Sequence, residues 1–443
     1  MQNIDTLVHA SWVIPVEPAG RVLAGHSVAI DHGRILAVLA SDEARRRYRA
    51  EHDVALDGHA LIPGLINTHT HAAMTLFRGL ADDLPLMQWL TEHIWPAEQR
   101  WVSDALVRDG TRLACAEMLR GGVTCFNDMY FYPDEAGRIA GECGMRATVG
   151  LIVIDFPTVW ARDTDEYLAK ATEVHDRFRD DPLIRTAFTP HAPYSVSDAA
   201  FERVRTLADE LDVPVHIHVH ETVDEISDSM RTYGERPLAR LDRLGFLNNR
   251  LMAVHMIHLE EAEIARIAEC AASVVHCPES NLKLANGFCP VERLRRAGIN
   301  VALGTDGAGS NNDLDILGEM RTAALLAKGV AGDAAALPAA AALERATLGG
   351  ARALGLEEEI GTLEPGKSAD VVAVDLTPVE TQPVHDPISH VVYAADRAQV
   401  SDVWIAGRRV LKSRALLTLD CESVAANAEQ WRRRMAAESH AGS

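Results

Sequence analysis

Residues 61–71 read LIPGLINTHTH, and this stretch decides how the rest of the sequence is interpreted. Apolar residues on both sides of Pro63 and Gly64 predict a buried strand with a local kink. Side chains two positions apart in a strand point to the same side, so His69 and His71 project together from its end. Two imidazoles at this spacing can share one metal ion, but a lone His-x-His motif is also compatible with two unrelated histidines. The positions of the histidines further along the chain distinguish between these two interpretations.

Short apolar runs alternate with helical stretches after this first strand. The charged segments at 105–120 and 198–212 have helical spacing. Seven further β-type runs lie at 122–128, 146–154, 184–191, 213–220, 250–255, 272–277 and 300–306. Eight β/α units over roughly 250 residues predict an α/β fold of the (β/α)8 TIM-barrel type. A doubly wound open sheet is the structural alternative, but polar residues at nearly every strand end favour the closed barrel.

The apolar patterns at both ends of the chain predict short strands rather than helices. The N-terminal runs are 6–10, 13–16, 26–30 and 34–39, and the C-terminal runs are 390–393, 400–403 and 409–411. Neither set has enough apolar residues for its own core. We therefore expect residues 1–57 and 361–420 to form one composite β-sandwich domain beside a barrel domain of residues 58–360. An Ala-rich helix is expected at 338–355, and residues 421–443 form a C-terminal helix (421–437) with a frayed tail.

Residues 361–368, GTLEPGKS, match the P-loop pattern literally. A P-loop opens a helix whose N-terminus meets phosphate, whereas Ser368 leads into the strand-like run ADVVAV. Pro365 lacks an N–H donor and Glu364 brings a negative charge. We interpret the segment as a turn before a strand.

Composition narrows the class of protein. The 443 residues suit one large domain and a smaller one, and the formal net charge of −21 argues against nucleic acid or an anionic membrane as a partner. The N-terminus lacks a basic segment before an apolar one, and no apolar run approaches the ~20 residues of a membrane span. The seven cysteines are scattered without a C-x-x-C pair, which predicts buried thiols, excludes a zinc ribbon and indicates a cytoplasmic protein.

Polar residues that could bind a metal recur at the predicted strand ends. They are His69 and His71, His191, the series His216, His218 and His220 with Glu221, then His255, His276 and Asp306. Three imidazoles and one carboxylate suit a zinc-like ion with one position open for water, whose pKa such an ion lowers. Each residue also has an ordinary interpretation: Glu221 at a helix start, Asp306 in a turn, His276 in the core. Their joint position at successive strand ends favours the metal site.

The sequence resembles the amidohydrolase superfamily over essentially its whole length. Within it, the chain looks like the branch that holds the 5'-methylthioadenosine/S-adenosylhomocysteine deaminases, with triazine and N-ethylammeline hydrolases as relatives. The motifs are PGLINTHTH (63–71), HIHVHET (216–222), AVHMIHL (253–259), HCPESNLKL (276–284), LGTDGAGSNND (303–313) and GTLEPGKSADVVAVD (361–375).

The resemblance implies one divalent ion per chain, most simply Zn²⁺, held by His69, His71, His218 and Asp306. His218 is selected because the family places the catalytic glutamate, here Glu221, three residues after the ligand. Glu221 would carry a proton to the ring nitrogen, His255 would hold the attacking water, and Asp306 would help to protonate the departing ammonia. No lysine lies between Lys170 and Lys283, so the carbamylated lysine of two-metal relatives is excluded.

The resemblance also implies a small nucleoside substrate. Trp89 and Glu98 match a Trp-and-Glu pair that lies beside the nucleoside, and a carboxylate suits the two ribose hydroxyls. His191 would contact the nucleoside too. Arg162 is the only cation available near the third strand for the carboxylate of S-adenosylhomocysteine. We therefore expect 5'-methylthioadenosine as the preferred substrate.

Several alternatives to this function remain open. S-adenosylhomocysteine and adenosine are the alternative nucleosides. A triazine or N-ethylammeline aminohydrolase or chlorohydrolase is the rival enzyme, and a structural homologue without metal ligands is the non-enzymatic rival. A homodimer is the expected assembly.

Overall fold

Seventeen strands and seventeen α-helices account for most of the computed structural model, which describes residues 1–441 and the side chains as far as residue 437. In chain order the strands are β1 Gln2–Val13, β2 Leu23–Ala24, β3 His26–Asp31, β4 Arg34–Ala40, β5 Tyr48–Pro63, β6 Leu65–Thr70, β7 Val123–Asp128, β8 Arg146–Val153, β9 Ile184–Pro190, β10 Val215–Val219, β11 Leu251–His255, β12 Ser273–His276, β13 Val301–Leu303, β14 Val371–Asp375, β15 Val400–Ile405, β16 Arg408–Lys412 and β17 Ala415–Leu416.

The α-helices are α1 Ser41–Arg47, α2 Leu86–Gln88, α3 Trp95–Trp101, α4 Asp104–Arg120, α5 Pro133–Glu142, α6 Thr164–Phe178, α7 Asp198–Leu211, α8 Val223–Tyr233, α9 Pro237–Arg243, α10 Glu261–Cys270, α11 Pro278–Lys283, α12 Val291–Arg296, α13 Ile316–Ala331, α14 Ala339–Arg345, α15 Leu348–Ala353, α16 Pro387–Tyr393 and α17 Cys421–Ala441. A π-helical turn at Trp89–Ile94 joins α2 to α3, and short 3₁₀ turns lie at Ala72–Phe77, Val379–Thr381 and Arg397–Gln399.

Strands β6 to β13 form the predicted barrel, each hydrogen-bonded in parallel to the next. The seam between the first and last strands is closed largely by side chains. The Thr68 hydroxyl donates to the Leu303 carbonyl at 2.6 Å, and the Asn67 amide oxygen accepts from the Thr305 N–H at 3.0 Å. The main-chain N–H of Asp306 also donates to the carbonyl of His69 at 3.0 Å. The TIM barrel is confirmed, and an open sheet is excluded because its first and last strands would not meet.

The two ends of the chain share the second, mixed sheet, as predicted. Its order is β17-β16-β15-β14-β5-β1-β3-β4, with β2 paired to β1, so the strands form one continuous hydrogen-bonded sheet. Strand β14 pairs antiparallel with residues 59–63 of β5, which joins the C-terminal strands to the N-terminal ones. The turn at 361–368 leads into strand β14, as predicted.

The opening stretch belongs to both sheets. Strand β5 continues through Pro63, across the domain boundary expected at residue 57, and the barrel begins with β6 at Leu65. Gly64 lies between them, and a Cβ added there would be 1.9 Å from the Thr124 hydroxyl oxygen. Only glycine allows this close approach, so the kink predicted at 63–64 is the transfer point between the sheets.

A buried ion pair ties the barrel to the end sheet. The Arg146 guanidinium on β8 donates to both carboxylate oxygens of Asp370 at 3.2 and 3.3 Å, and to the Ser368 hydroxyl at 3.0 Å. Both side chains are buried. The carboxylate also accepts from the main-chain N–H of Ala406 at 2.8 Å. This buried ion pair therefore fixes the position of the end sheet relative to the barrel.

One predicted strand is wrong. Residues 390–393 lie in helix α16, whose N-terminus is capped by the Asp386 carboxylate, an acceptor for the N–H groups of Ile388 and Ser389. Pro387 occupies the first helical turn, where its missing N–H costs nothing. The Asp-Pro pair was the helix signal, and the β-branched Val391 and Val392 masked it.

Smaller differences occur elsewhere. The strand expected at 13–16 is only the end of β1, and the helix expected at 338–355 is two helices, α14 and α15. Helix α17 continues to Ala441, and the end of the predicted tail, 442–443, lies outside the described residues. Five cysteines are buried, as predicted, but Cys270 is half-buried and Cys421 is exposed. No helix in the described chain is long and apolar enough to cross a membrane.

Candidate active site

Four predicted ligands meet at the carboxyl end of the barrel. His69 lies on β6 and His71 just after it, His218 lies on β10, and Asp306 follows β13. The carboxylate Oδ1 of Asp306 is 3.2 Å from Nε2 of His69 and 3.1 Å from Nε2 of His71. Nε2 of His218 is 3.1 Å from Nε2 of His69, and one ligand atom from each residue lies within 4.8 Å of the others. The structure therefore brings together the full set that the sequence predicted.

The hydrogen bonds on the far side of the rings show that this set fits a metal ion. Nδ1 of His71 bonds the Met129 carbonyl at 2.5 Å, and Nδ1 of His218 bonds the His191 carbonyl at 2.9 Å. A carbonyl only accepts, so Nδ1 carries the proton in both rings and the Nε2 lone pairs converge. This tautomer is the one that a zinc-binding imidazole needs.

Asp306 is oriented by groups that the motifs contained but the sequence did not single out. Its Oδ2 accepts from the hydroxyls of Ser280 at 2.7 Å and Ser310 at 2.8 Å, and its Oδ1 accepts from the Gly307 N–H at 2.8 Å. Burial by itself would raise the pKa of Asp306, but the imidazoles of His69 and His71 beside its carboxylate hold it well below its usual range. The carboxylate is therefore kept ionised.

Glu221 and His255 lie next to the ligands. Oε2 of Glu221 is 3.7 Å from Nε2 of His255, and its Oε1 accepts from the Asn286 amide at 2.9 Å. Nδ1 of His255 bonds Oδ1 of Asn281 at 2.8 Å, so Nδ1 carries the proton and Nε2 is left as an acceptor. Burial raises the pKa of Glu221. A carboxyl with a raised pKa suits a group that takes up and gives away a proton.

The main chain around Glu221 is held by another carboxylate. Glu225 accepts from the N–H of His220 at 3.0 Å and from the N–H of Glu221 at 2.8 Å. Its pKa is raised to about 8 by burial. From the sequence alone, Glu225 cannot be distinguished from an ordinary carboxylate in the first turn of a helix.

A cavity of about 490 Å³ opens beside these residues. It is lined by His71, His218, Glu221, His255 and Asp306 on one side, and by Trp89, Glu98, His191, Tyr194 and Phe156 elsewhere. The predicted substrate contacts Trp89, Glu98 and His191 therefore face the predicted metal ligands across one space.

The π-helical turn explains how Trp89 and Glu98 reach the same cavity. Residues nine positions apart in a continuous α-helix lie on nearly opposite sides, at about 100° per residue. A π turn accommodates one extra residue, which rotates Glu98 back toward the side of Trp89. Desolvation in the cavity raises the pKa of Glu98 to about 7, against the lowering effects of the Tyr130 hydroxyl and His71. The buried Nε1 of Trp89 has no hydrogen-bond partner in the described chain, so it is free to meet a ligand.

His191 is poised as an acceptor. The Ser195 hydroxyl donates to the Ala192 carbonyl at 3.1 Å, so its oxygen accepts from Nδ1–H of His191 at 2.9 Å. Burial, with His71 and His69 nearby, lowers the pKa of His191 to about 3. The neutral ring therefore presents a bare Nε2.

The structure does not bring Arg162 into the cavity. Its side chain is 84% exposed and donates from Nε to Glu166 at 2.8 Å, four residues further on in α6. This local pair holds the guanidinium outside, and the residues of this part of the chain that line the cavity include the apolar Ile152, Ile154 and Val159. His220 and His276 are buried outside the cavity lining.

Residues 60–410 match the amidohydrolase family, and the chain belongs to it. A protein of Teredinibacter turnerae named 5-methylthioadenosine/S-adenosylhomocysteine deaminase is 49% identical over 436 residues, which are 98% of this chain and 99% of that one. The predicted resemblance to this branch is thereby confirmed.

Solved structures agree with the architecture. A zinc-bound structure described as an adenosine deaminase from Xanthomonas campestris superposes with a TM-score of 0.98 at 57% identity, covering 98% of this chain and 99% of that one. An atrazine chlorohydrolase from Arthrobacter aurescens, complexed with zinc, gives a TM-score of 0.90 at 23% identity over 96% of this chain and 99% of that one. The second likeness concerns the fold alone.

Proposed function

We propose that this protein is a zinc-dependent hydrolytic deaminase of adenine nucleosides, with 5'-methylthioadenosine as its preferred substrate. The products are 5'-methylthioinosine and ammonia. The observation that carries the proposal is the position of the four converging ligands and Glu221 on one side of a cavity whose other side presents Trp89 and Glu98. The deaminase names of the similar proteins support the same reaction.

The chain's own groups divide the work of the reaction. His69, His71, His218 and Asp306 would hold the zinc ion, which when bound would supply Lewis-acid chemistry that lowers the pKa of a water molecule. Glu221 takes a proton from the attacking water and delivers it to the ring nitrogen beside the amino-bearing carbon. Nε2 of His255 lies 3.7 Å from Oε2 of Glu221 and accepts a hydrogen bond from the same water.

Departure of the amino group completes the reaction. The water oxygen bonds to the ring carbon, and the bond from this carbon to the amino nitrogen breaks. The amino group leaves as ammonia after receiving the second proton of the water, which Asp306 helps to pass. Water is consumed and the ring becomes a hypoxanthine.

The nucleoside is oriented by the far side of the cavity. The Glu98 carboxylate accepts hydrogen bonds from the ribose 2'- and 3'-hydroxyls, and the indole of Trp89 packs against the nucleoside with its Nε1–H available as a donor. His191 contributes its bare Nε2 as a further acceptor.

Preference for the methylthio substituent follows from the chemistry of the cavity wall. In the part of the chain that the structure describes, no lysine or arginine lines the cavity, while Ile152, Ile154, Phe156 and Val159 do. The carboxylate of S-adenosylhomocysteine would lose its hydration without gaining a cation. A methylthio group only gains apolar contact.

Ammonia release from 5'-methylthioadenosine, adenosine, S-adenosylhomocysteine and guanine tests this proposal. We expect the highest kcat/KM for 5'-methylthioadenosine and none for guanine, which lacks the ribose. A higher kcat/KM for S-adenosylhomocysteine would overturn the substrate preference, and no ammonia from any nucleoside would overturn the deaminase itself. Metal analysis without a divalent ion in the native protein would revive the non-enzymatic alternative.

We also propose that the protein acts in the cytoplasm as a homodimer without nucleic-acid or membrane partners. Light scattering during gel filtration measures the mass directly: the chain is 48.2 kDa, and twice this mass is expected.

A further inference from the structure

One of the three histidine ligands differs from the other two in what supports it. The rings of His71 and His218 each donate from Nδ1 to a main-chain carbonyl. His69 instead has Nδ1 at 3.0 Å from Nε2 of another histidine, His216. Among the three histidine ligands, only His69 is therefore supported by a side chain that a substitution can remove.

The proton between the two rings has one consistent position. Nε2 of His69 faces Asp306 and His218, so its lone pair must be bare when it binds a cation. The ring proton of His69 is then on Nδ1 and is donated to His216. Nε2 of His216 must accept it, because two N–H groups cannot face each other at 3.0 Å. His216 is therefore neutral, with its own proton on Nδ1.

This arrangement places His216 in an unfavourable environment. The residue is fully buried, and its Nδ1 has no hydrogen-bond partner among the described residues. An N–H that is buried without an acceptor destabilises a fold, whereas an apolar side chain of the same size would not. Packing alone gives no reason for a histidine at this position.

We propose that His216 is a positioning residue, which fixes the tautomer and ring orientation of His69 and thereby the affinity of the metal site. The inference rests on the metal site of the proposed function. His216 is not among the residues that line the cavity, and its Nε2 bonds the ring of His69, so it acts through His69. Such supporting hydrogen bonds typically contribute 10- to 100-fold in metal affinity.

Three substitutions at His216 distinguish loss of the hydrogen-bond acceptor from loss of the packing volume of the ring. In His216→Gln the amide oxygen reaches the place of Nε2 and retains an acceptor. His216→Met keeps the length but removes the acceptor, and in His216→Asn the amide is too short to reach His69. His276→Met is the matched control: His276 is also buried, two strands away on β12, and its Nδ1 also lacks a partner in the described chain.

The measurement is the zinc dissociation constant, from competition with a chromogenic chelator after the metal has been removed by dialysis. We expect affinity within about threefold of wild type for His216→Gln and His276→Met, and a loss of about 10- to 100-fold for His216→Met and His216→Asn. Thermal unfolding of the metal-free proteins verifies that the variants are folded. If His216→Met does not fold, the comparison of Asn with Gln decides.

Wild-type affinity in both variants that lack the acceptor would overturn the role of His216. Equal weakening in the Gln and Met variants would also overturn it, because loss of packing would then explain both. Failure of the wild-type protein to bind zinc contradicts the proposed function instead, so the two failures are distinguishable.

Discussion

Replacement of Asn286 by alanine should move the pH dependence of the enzyme without removing any group that reacts. The Asn286 amide donates to Oε1 of Glu221 at 2.9 Å, and this bond favours the ionised carboxylate. Burial already raises the pKa of Glu221, and the amide opposes that rise. Loss of the amide therefore raises the pKa further. Glu221 must be ionised to accept a proton from water, so activity is lost from the acid side.

The size of the effect follows from the energy of such a bond. A hydrogen bond to a charged group contributes about 1.5–3 kcal/mol, and 1.36 kcal/mol corresponds to about one pH unit. The acid limb of the kcat/KM profile should therefore move up by about one to two pH units in Asn286→Ala. Above that limb, the loss of activity should be no more than severalfold.

Initial rates with 5'-methylthioadenosine across the pH range measure the limb directly, since kcat/KM reports the free enzyme. Asn249→Ala is the control, because Asn249 is exposed and precedes β11 at the amino end of the barrel. A uniform fall in rate with an unmoved acid limb would refute the reasoning and leave Asn286 as a packing residue.

Three further outcomes are expected. Glu98→Ala should lower kcat/KM for the nucleoside by about 10²-fold or more, since two hydrogen bonds of about 1.5–3 kcal/mol each are lost; an equal loss with a triazine substrate would contradict the ribose role, and Glu98→Gln retains part of the contact. Arg146→Met leaves the Asp370 carboxylate buried and unpaired, so urea denaturation should show a loss of about 3–5 kcal/mol, and an unchanged midpoint would show that the pair contributes nothing. Gly110→Ala places a Cβ 2.4 Å from a main-chain oxygen and should destabilise, whereas Gly141→Ala meets nothing within 4 Å and should stabilise by about 0.5–1 kcal/mol in thermal unfolding; equal effects would contradict the steric argument.

The position of the metal site could be predicted because its ligands sit at strand ends and strand order fixes where those ends meet, whereas the choice of His218 over His216 and His220 came from the family resemblance. The rhythm of apolar runs placed His69, His218 and Asp306 on strands β6 and β10 and after β13, and a barrel brings these together whatever its loops do. The same reasoning reached the cavity side of His191 and His255.

Site residues that lie in loops or short helices could not be predicted from the pattern of strands. Ser280, Ser310 and Asn286 contact Asp306 and Glu221 from irregular segments or short helices, whose path no periodicity encodes. The π turn between Trp89 and Glu98 has no sequence signature of its own. Arg162 was predicted to contact the substrate and does not reach the cavity, because it forms an ion pair with Glu166 on the neighbouring helix.

The passage of the chain through Gly64 has a consequence for biosynthesis. Strands β1 to β5 emerge from the ribosome first, but the partner of residues 59–63 is β14, roughly three hundred residues later. Until then one edge of β5 offers unpaired main-chain groups to any neighbouring strand. The strand that carries the first metal ligands, β6, directly follows this open edge. The end sheet is completed only when the last part of the chain has been made. The nascent protein is therefore most prone to misassembly while the barrel is being synthesised.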